Sequence, residues 1–149
     1  MRRWLSSLLV LLPLVSGCGL GPALDRAKHA VDGYFAALGE GAIDRALEAY
    51  AGEFFEHMPR EAWRAELTRL VDDAGRVRTH ELESFTVSHN VGLKAGIYAT
   101  LVYRVTYERR ETQESFRVSA PEDGPARIVA QHVEFRGPPR APAPSQTTA

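Results

Sequence analysis

The hydrophobic pattern of this chain predicts an α+β fold: N-terminal helices packed on a curved antiparallel four-stranded sheet. Two observations carry the prediction. Apolar residues recur at helical spacing from Leu24 to Val71, and at alternate positions from Phe85 to Phe135. Gly75 separates the two regimes, so three helices precede four meandering strands.

The elements follow in order. Leu24, Ala27, Val31, Tyr34/Phe35 and Leu38 share one helical face, and Gly39 and Gly41 end the run. Ile43, Ala46/Leu47, Tyr50 and Phe54 predict a second helix over 43–55. Pro59 stands where a third helix begins, Trp63, Leu67 and Leu70/Val71 form its buried stripe, and Gly75 closes it. Phe85, Val87 and Val91 mark a first strand. Ile97, Ala99, Leu101, Tyr103, Val105 and Tyr107 form the longest alternating run. Phe116 and Val118 share one side of a third strand over 114–119. Glu122-Asp123-Gly124-Pro125 is a turn signal, and a last strand covers 128–135.

The first twenty residues differ from the rest. Arg2 and Arg3 give a positive start, Leu5 to Val15 is an apolar run, and small residues lead to Cys18, the only cysteine. The run is shorter than the ~20 apolar residues that cross a bilayer. Val15-Ser16-Gly17-Cys18 resembles the lipobox of a bacterial lipoprotein signal peptide. That resemblance implies a signal peptide over 1–17, a lipidated Cys18 heading a short tether over 18–23, and a location in the bacterial cell envelope. Gly19 after the cysteine points to the periplasmic face of the outer membrane. Several acyl chains on Cys18 make a stable anchor where one is marginal.

Composition limits the remainder. Of 18 basic residues the signal removes Arg2 and Arg3, which against 19 acidic ones leaves a net charge near −3 and no footprint for nucleic acid or for an anionic membrane surface. A lone cysteine forms no internal disulfide, so packing must stabilise the domain over 24–136. The segment 137–149 is Pro-rich and nearly free of apolar side chains, the composition of a disordered tail.

The helix–sheet order also resembles the NTF2-like, or cystatin-like cone, superfamily. The matching features are Ala30 to Leu38 of type A-V-x-x-Y-F-A-A-L, the step Gly41-Ala42-Ile43-Asp44-Arg45-Ala46, Trp63 near the start of the third helix, and the closing E-D-G turn. The final strand departs from its relatives: Ala126 to Gln131 carries neither the Trp nor the Tyr of their W-x-V-x-G-Y. Enzymes of this superfamily place an Asp, His or Tyr inside the cone, where burial tunes proton transfer.

No comparable set stands out here. His29, His57, His80, His89 and His132 lack H-x-x-x-H or H-E-x-x-H spacing, so no metal or cofactor site and no catalytic residue is assigned. His132 faces outward if Gln131 faces the helices with Val129, Val133 and Phe135. Asp32 reads as solvated, and Asp44 as a cap on the second helix. The aromatics Tyr34, Tyr50, Phe54, Phe55, Trp63, Tyr103 and Tyr107 read mostly as core; Tyr34, Trp63, Tyr103 and Gln131 are the candidate cavity wall. Arg104, Arg109, Arg110 and Arg117, paired with Glu108, Glu111 and Glu114, read as a solvated ladder on the outer sheet face.

The expectation is therefore a lipid-anchored extracytoplasmic binding or interaction module for a small apolar ligand or a protein partner. Two alternatives stay open. One is a cone-fold isomerase or dehydratase using a buried Asp or His. The other is a structural envelope subunit that forms a homodimer through the mixed face of Tyr98, Thr100, Val102 and Arg104.

Overall fold

The structure is a computed structural model that describes residues 20–92 and 95–138; the signal segment, Cys18 and the tail from 139 onward lie outside them. Four helices precede four strands: α1 (Leu20–Glu40), α2 (Ile43–Leu47), α3 (Gly52–His57), α4 (Arg60–Ala74), β1 (Val77–Asn90), β2 (Gly96–Tyr107), β3 (Glu111–Ser119) and β4 (Arg127–Arg136). The strands form one antiparallel sheet in the order β1-β2-β3-β4. No helix among the described residues is long and apolar enough to cross a membrane.

α1 begins at Leu20, inside the stretch expected as tether. Pro22 falls in its first turn, where a missing N–H costs nothing. Ala23, Ala27, Val31, Tyr34, Phe35 and Leu38 are buried along α1. They pack on the inward residues of the sheet, among them Leu101, Tyr103, Val105 and Phe116. Phe35 lies edge-on to Phe116 and Tyr103, each with ring centroids 5.4 Å apart.

The expected second helix is two short ones. The chain leaves α2 after Leu47 because its backbone is claimed by the sheet: Ile128 N–H donates to the Ala49 carbonyl, and Ala51 N–H to the Ile128 carbonyl, each at 2.9 Å. Tyr50 thereby forms a parallel bridge to Ile128, and its side chain is carried into the core. Asp44 does not cap α2, whose first turn has no side-chain cap; its carboxylate pairs with Arg64 of α4 instead.

α4 ends at Gly75, whose φ of +84° favours glycine. A Cβ there would lie 2.6 Å from Glu108 Cβ. β1 then starts at Val77, earlier than Phe85. Its first half pairs with β2 through bulges after Val77 and Leu82, which break the strict alternation visible in the sequence.

The arginine ladder is only partly on the outer face. Arg104 bonds Glu83, and Arg117 lies 4.8 Å from the centre of the Tyr98 ring. Arg109 instead sits in the β2–β3 turn and caps α4, with Nε donating to the Asp73 carbonyl at 2.9 Å and its guanidinium against the negative end of the helix. Arg110 pairs with Asp73 at 2.9 Å and lies over Phe135.

Candidate functional site

Register decides what faces the helices. Thr112, Glu114, Phe116 and Val118 are the buried residues of β3. Opposite them on β4 stand Phe135, Val133, Gln131 and Ile128. One residue of β4 is extra between Ala130 and Ile128, so Val129 is a bulge and Ile128 takes the inward place expected for Val129. Gln131 faces inward. His132 pairs with Ser115 and is exposed, its register placing it on the opposite face.

Glu114 corrects the outer-ladder assignment, since its side chain is fully buried. Its oxygens accept three hydrogen bonds: Oε1 from the Tyr107 hydroxyl at 2.6 Å and the Thr112 hydroxyl at 2.9 Å, Oε2 from Gln131 Nε2 at 2.9 Å. Gln131 Nε2 also donates to the Tyr34 hydroxyl at 3.0 Å, and the Tyr50 hydroxyl donates to Gln131 Oε1. Four side chains on α1, the α2–α3 segment, β2 and β3 thus converge on the amide of β4 and the carboxyl of β3. Three donors suit an ionised carboxylate, but the side chain is wholly shielded from solvent. Burial pushes the Glu114 carboxyl above the usual carboxylate range, and the hydrogen bonds from Tyr107, Thr112 and Gln131 draw it partly back. Burial likewise raises the phenols of Tyr34, Tyr50 and Tyr107.

A groove of about 480 Å³ opens between α4 and β4. Trp63, Leu67 and Leu70 form its helical wall, Val133 and Phe135 its strand wall, and Gln131 lies between them. Exposed Glu66, Asp73 and His132 stand at the mouth. Trp63 packs edge-on against Phe54 and Tyr50, with ring centroids at 5.3 and 6.0 Å. Phe135 is 43% exposed, a large apolar side chain left open at the end of the groove. Gln131 is the one residue shared by groove and buried network.

Of the four residues expected along a cavity wall, Trp63 and Gln131 line this groove, and Tyr34 stands directly behind Gln131. Tyr103 is placed elsewhere. It packs on Phe35 and His80 at the β1 side of α1, with its hydroxyl buried and unpartnered among the described residues. Asp32 joins that second cluster by bonding His80 Nε2 at 3.0 Å. Neither Asp32 nor Asp44 reaches the groove. Sequence reasoning missed Glu114 and Thr112, although both share the parity of Phe116 and Val118. No cluster of potential metal ligands occurs among the described residues.

No protein-family model matches the chain, and no curated protein matches it in sequence. Solved structures do resemble it. A 2.5 Å structure from Catenulispora acidiphila matches with a TM-score of 0.57 at 17% identity, over 77% of this chain and 92% of that one. A candidate aromatic ring hydroxylase from Novosphingobium aromaticivorans matches with a TM-score of 0.52 at 17% identity, over 82% of this chain and 94% of that one. Such identity speaks to architecture alone. Together with the antiparallel four-stranded meander and its N-terminal helices, the likeness supports the expected cone-type α+β architecture.

Proposed function

We propose that this protein is a lipid-anchored, extracytoplasmic binding module that takes a small, mainly apolar ligand in the groove between α4 and β4. The anchor is Cys18, read from its lipobox-like setting. One observation favours binding over catalysis: the polar group at the inner end of the groove is the Gln131 amide, not an acid or base. Both amide hydrogens of Gln131 are engaged, by Glu114 and Tyr34. Its Oε1 accepts from Tyr50 and keeps a second lone pair. The groove therefore matches an apolar body carrying a hydrogen-bond donor such as a hydroxyl.

Trp63 and Trp4 are the two tryptophans, and signal removal leaves Trp63 as the reporter. Saturable change of its fluorescence on titration with medium-chain alcohols, abolished in Leu67→Arg, supports the reading. A flat response across aliphatic and aromatic alcohols overturns it. For the anchor, Cys18→Ser abolishes palmitate labelling; labelling that persists rejects it.

A second reading rests on Glu114. A buried carboxyl held above its usual range beside three tyrosines is the kind of group that moves protons in cone-fold enzymes. It needs Gln131 to swing aside, because Glu114 does not line the groove. Turnover of any substrate that disappears in Glu114→Gln while groove binding persists favours this reading.

A further inference from the structure

A second cleft, of about 660 Å³, lies on the opposite side of α1 from the β1 cluster, between α1, α2 and the start of β4. Three arginines line it: Arg26, Arg45 and Arg127. Arg26 Nη2 donates to the Ala120 carbonyl at 3.2 Å, and its Nε is buried without an acceptor among the described residues. Arg127 Nη1 donates to the Glu48 carbonyl at 2.9 Å. Both bonds go to neutral oxygens. Among the described residues neither arginine has a carboxylate within ion-pair distance, whereas Arg45 pairs with Glu40 at 2.6 Å. Two arginines without a direct ion-pair partner among the described residues therefore line one concave surface. Asp25 and Glu48 share its walls, which suits the cleft to a single anionic group between the arginines, not to a broadly anionic surface.

We infer that this cleft binds the phosphate of a phospholipid headgroup in the bilayer that holds the protein; this rests on the lipid-anchor reading of Cys18. The chain supplies the proximity. Cys18 precedes α1 by two residues, and Arg26 lies six residues into the helix. Two extended residues and six helical rises span at most about 17 Å. The headgroup layer itself is roughly 5–8 Å deep. A guanidinium fork matches phosphate oxygens in pairs, so the arginines supply geometry as well as charge. The ligand groove lies on another face, between α4 and β4, so the domain could hold a headgroup and a groove ligand together.

The test uses the full chain in a nonionic detergent and follows arginine Nε–H NMR signals. Glycerophosphoglycerol, a water-soluble deacylated headgroup, is titrated in one arm and inorganic phosphate in another. The expected result is saturable shifts for Arg26 and Arg127 with the headgroup, weakened about five-fold in Arg127→Gln and in Arg26→Gln, and unchanged in Leu67→Arg. Wild-type signals that do not saturate, or arginine variants that bind as wild type, overturn the site. Tighter binding of inorganic phosphate than of the diester overturns its assignment to lipid. Palmitate labelling is scored separately: its absence removes the anchor and the bilayer as phosphate source, while headgroup binding that fails beside intact labelling removes the cleft alone.

Discussion

Two carboxylates organise polar networks on opposite faces of the same sheet, and they obey opposite rules. Glu83, at a bulge of β1, accepts from Arg104, Gln113 and Arg136 across the outer face. Glu114 accepts from Tyr107, Thr112 and Gln131 on the inner face. Each has three partners. Glu83 faces water and cations, and the hydrogen bond from Arg104 holds its carboxyl below the usual range. Glu114 faces neutral donors in a dry interior, and burial pushes its carboxyl up. The number of partners is equal; the charge of the donors and the burial of the carboxyl decide the sign.

The contrast breaks most sharply on truncation. Glu114→Ala strands three buried donors and opens a cavity, and is expected to lower stability by about 3 kcal/mol or more in urea unfolding. A loss no larger than that of a surface substitution would mean the interior is wet. Next comes Gln131→Leu, expected to cost about 2 kcal/mol, since it frees Glu114, Tyr34 and Tyr50 from a shared partner. It should also weaken binding of alcohols more than of matching alkanes in the Trp63 titration.

The pH dependence sharpens the comparison further. Glu114 holds its proton more tightly folded than unfolded, so its contribution is fully present below the ordinary value of 4.5 and is lost as pH rises through the raised folded value. Glu83 runs the other way: its contribution is present above the ordinary value and lost as pH falls through the lowered folded one. Urea midpoints measured from about pH 3 to 8 should lose their decline toward neutral pH in Glu114→Gln, and part of their acid-side decline in Glu83→Gln. Identical curves for both variants would erase the distinction. The smallest effect belongs to Arg104→Gln, where stability should change little and the residual difference should vanish in high salt.

The two networks also differ in how far they could be read in advance. The arginines around Glu114 in sequence point to the outer ladder, yet its parity with Phe116 and Val118 places it inside. Alternation along a strand is a geometric rule, whereas sequence proximity of opposite charges is not, and the rule wins. Arg109 shows the same lesson in a turn: leaving the strand freed it to cap α4. Helix α2 ends early for a reason outside its own sequence, the backbone pairing of Ala49 and Ala51 with Ile128. Trp63 and Gln131 were legible as candidate wall residues because each combines an apolar stripe position with a polar tip.

Hydrophobic period alone therefore settles the order of helices and strands, and the meander of strands joined by short turns, because 3.6 and 2 are properties of the local backbone. It leaves open which polar groups meet. Tyr34 and Gln131 stand 97 positions apart, and Tyr50 and Gln131 stand 81 apart. Their meeting depends on a bulge at Val129 that resets the parity of β4, on the bridge that draws Tyr50 inward, and on the packing of α1 against β3. Those are long-range closures, selected by burial of the whole core, so only the folded chain brings one amide, one carboxyl and three tyrosines to the inner end of a groove.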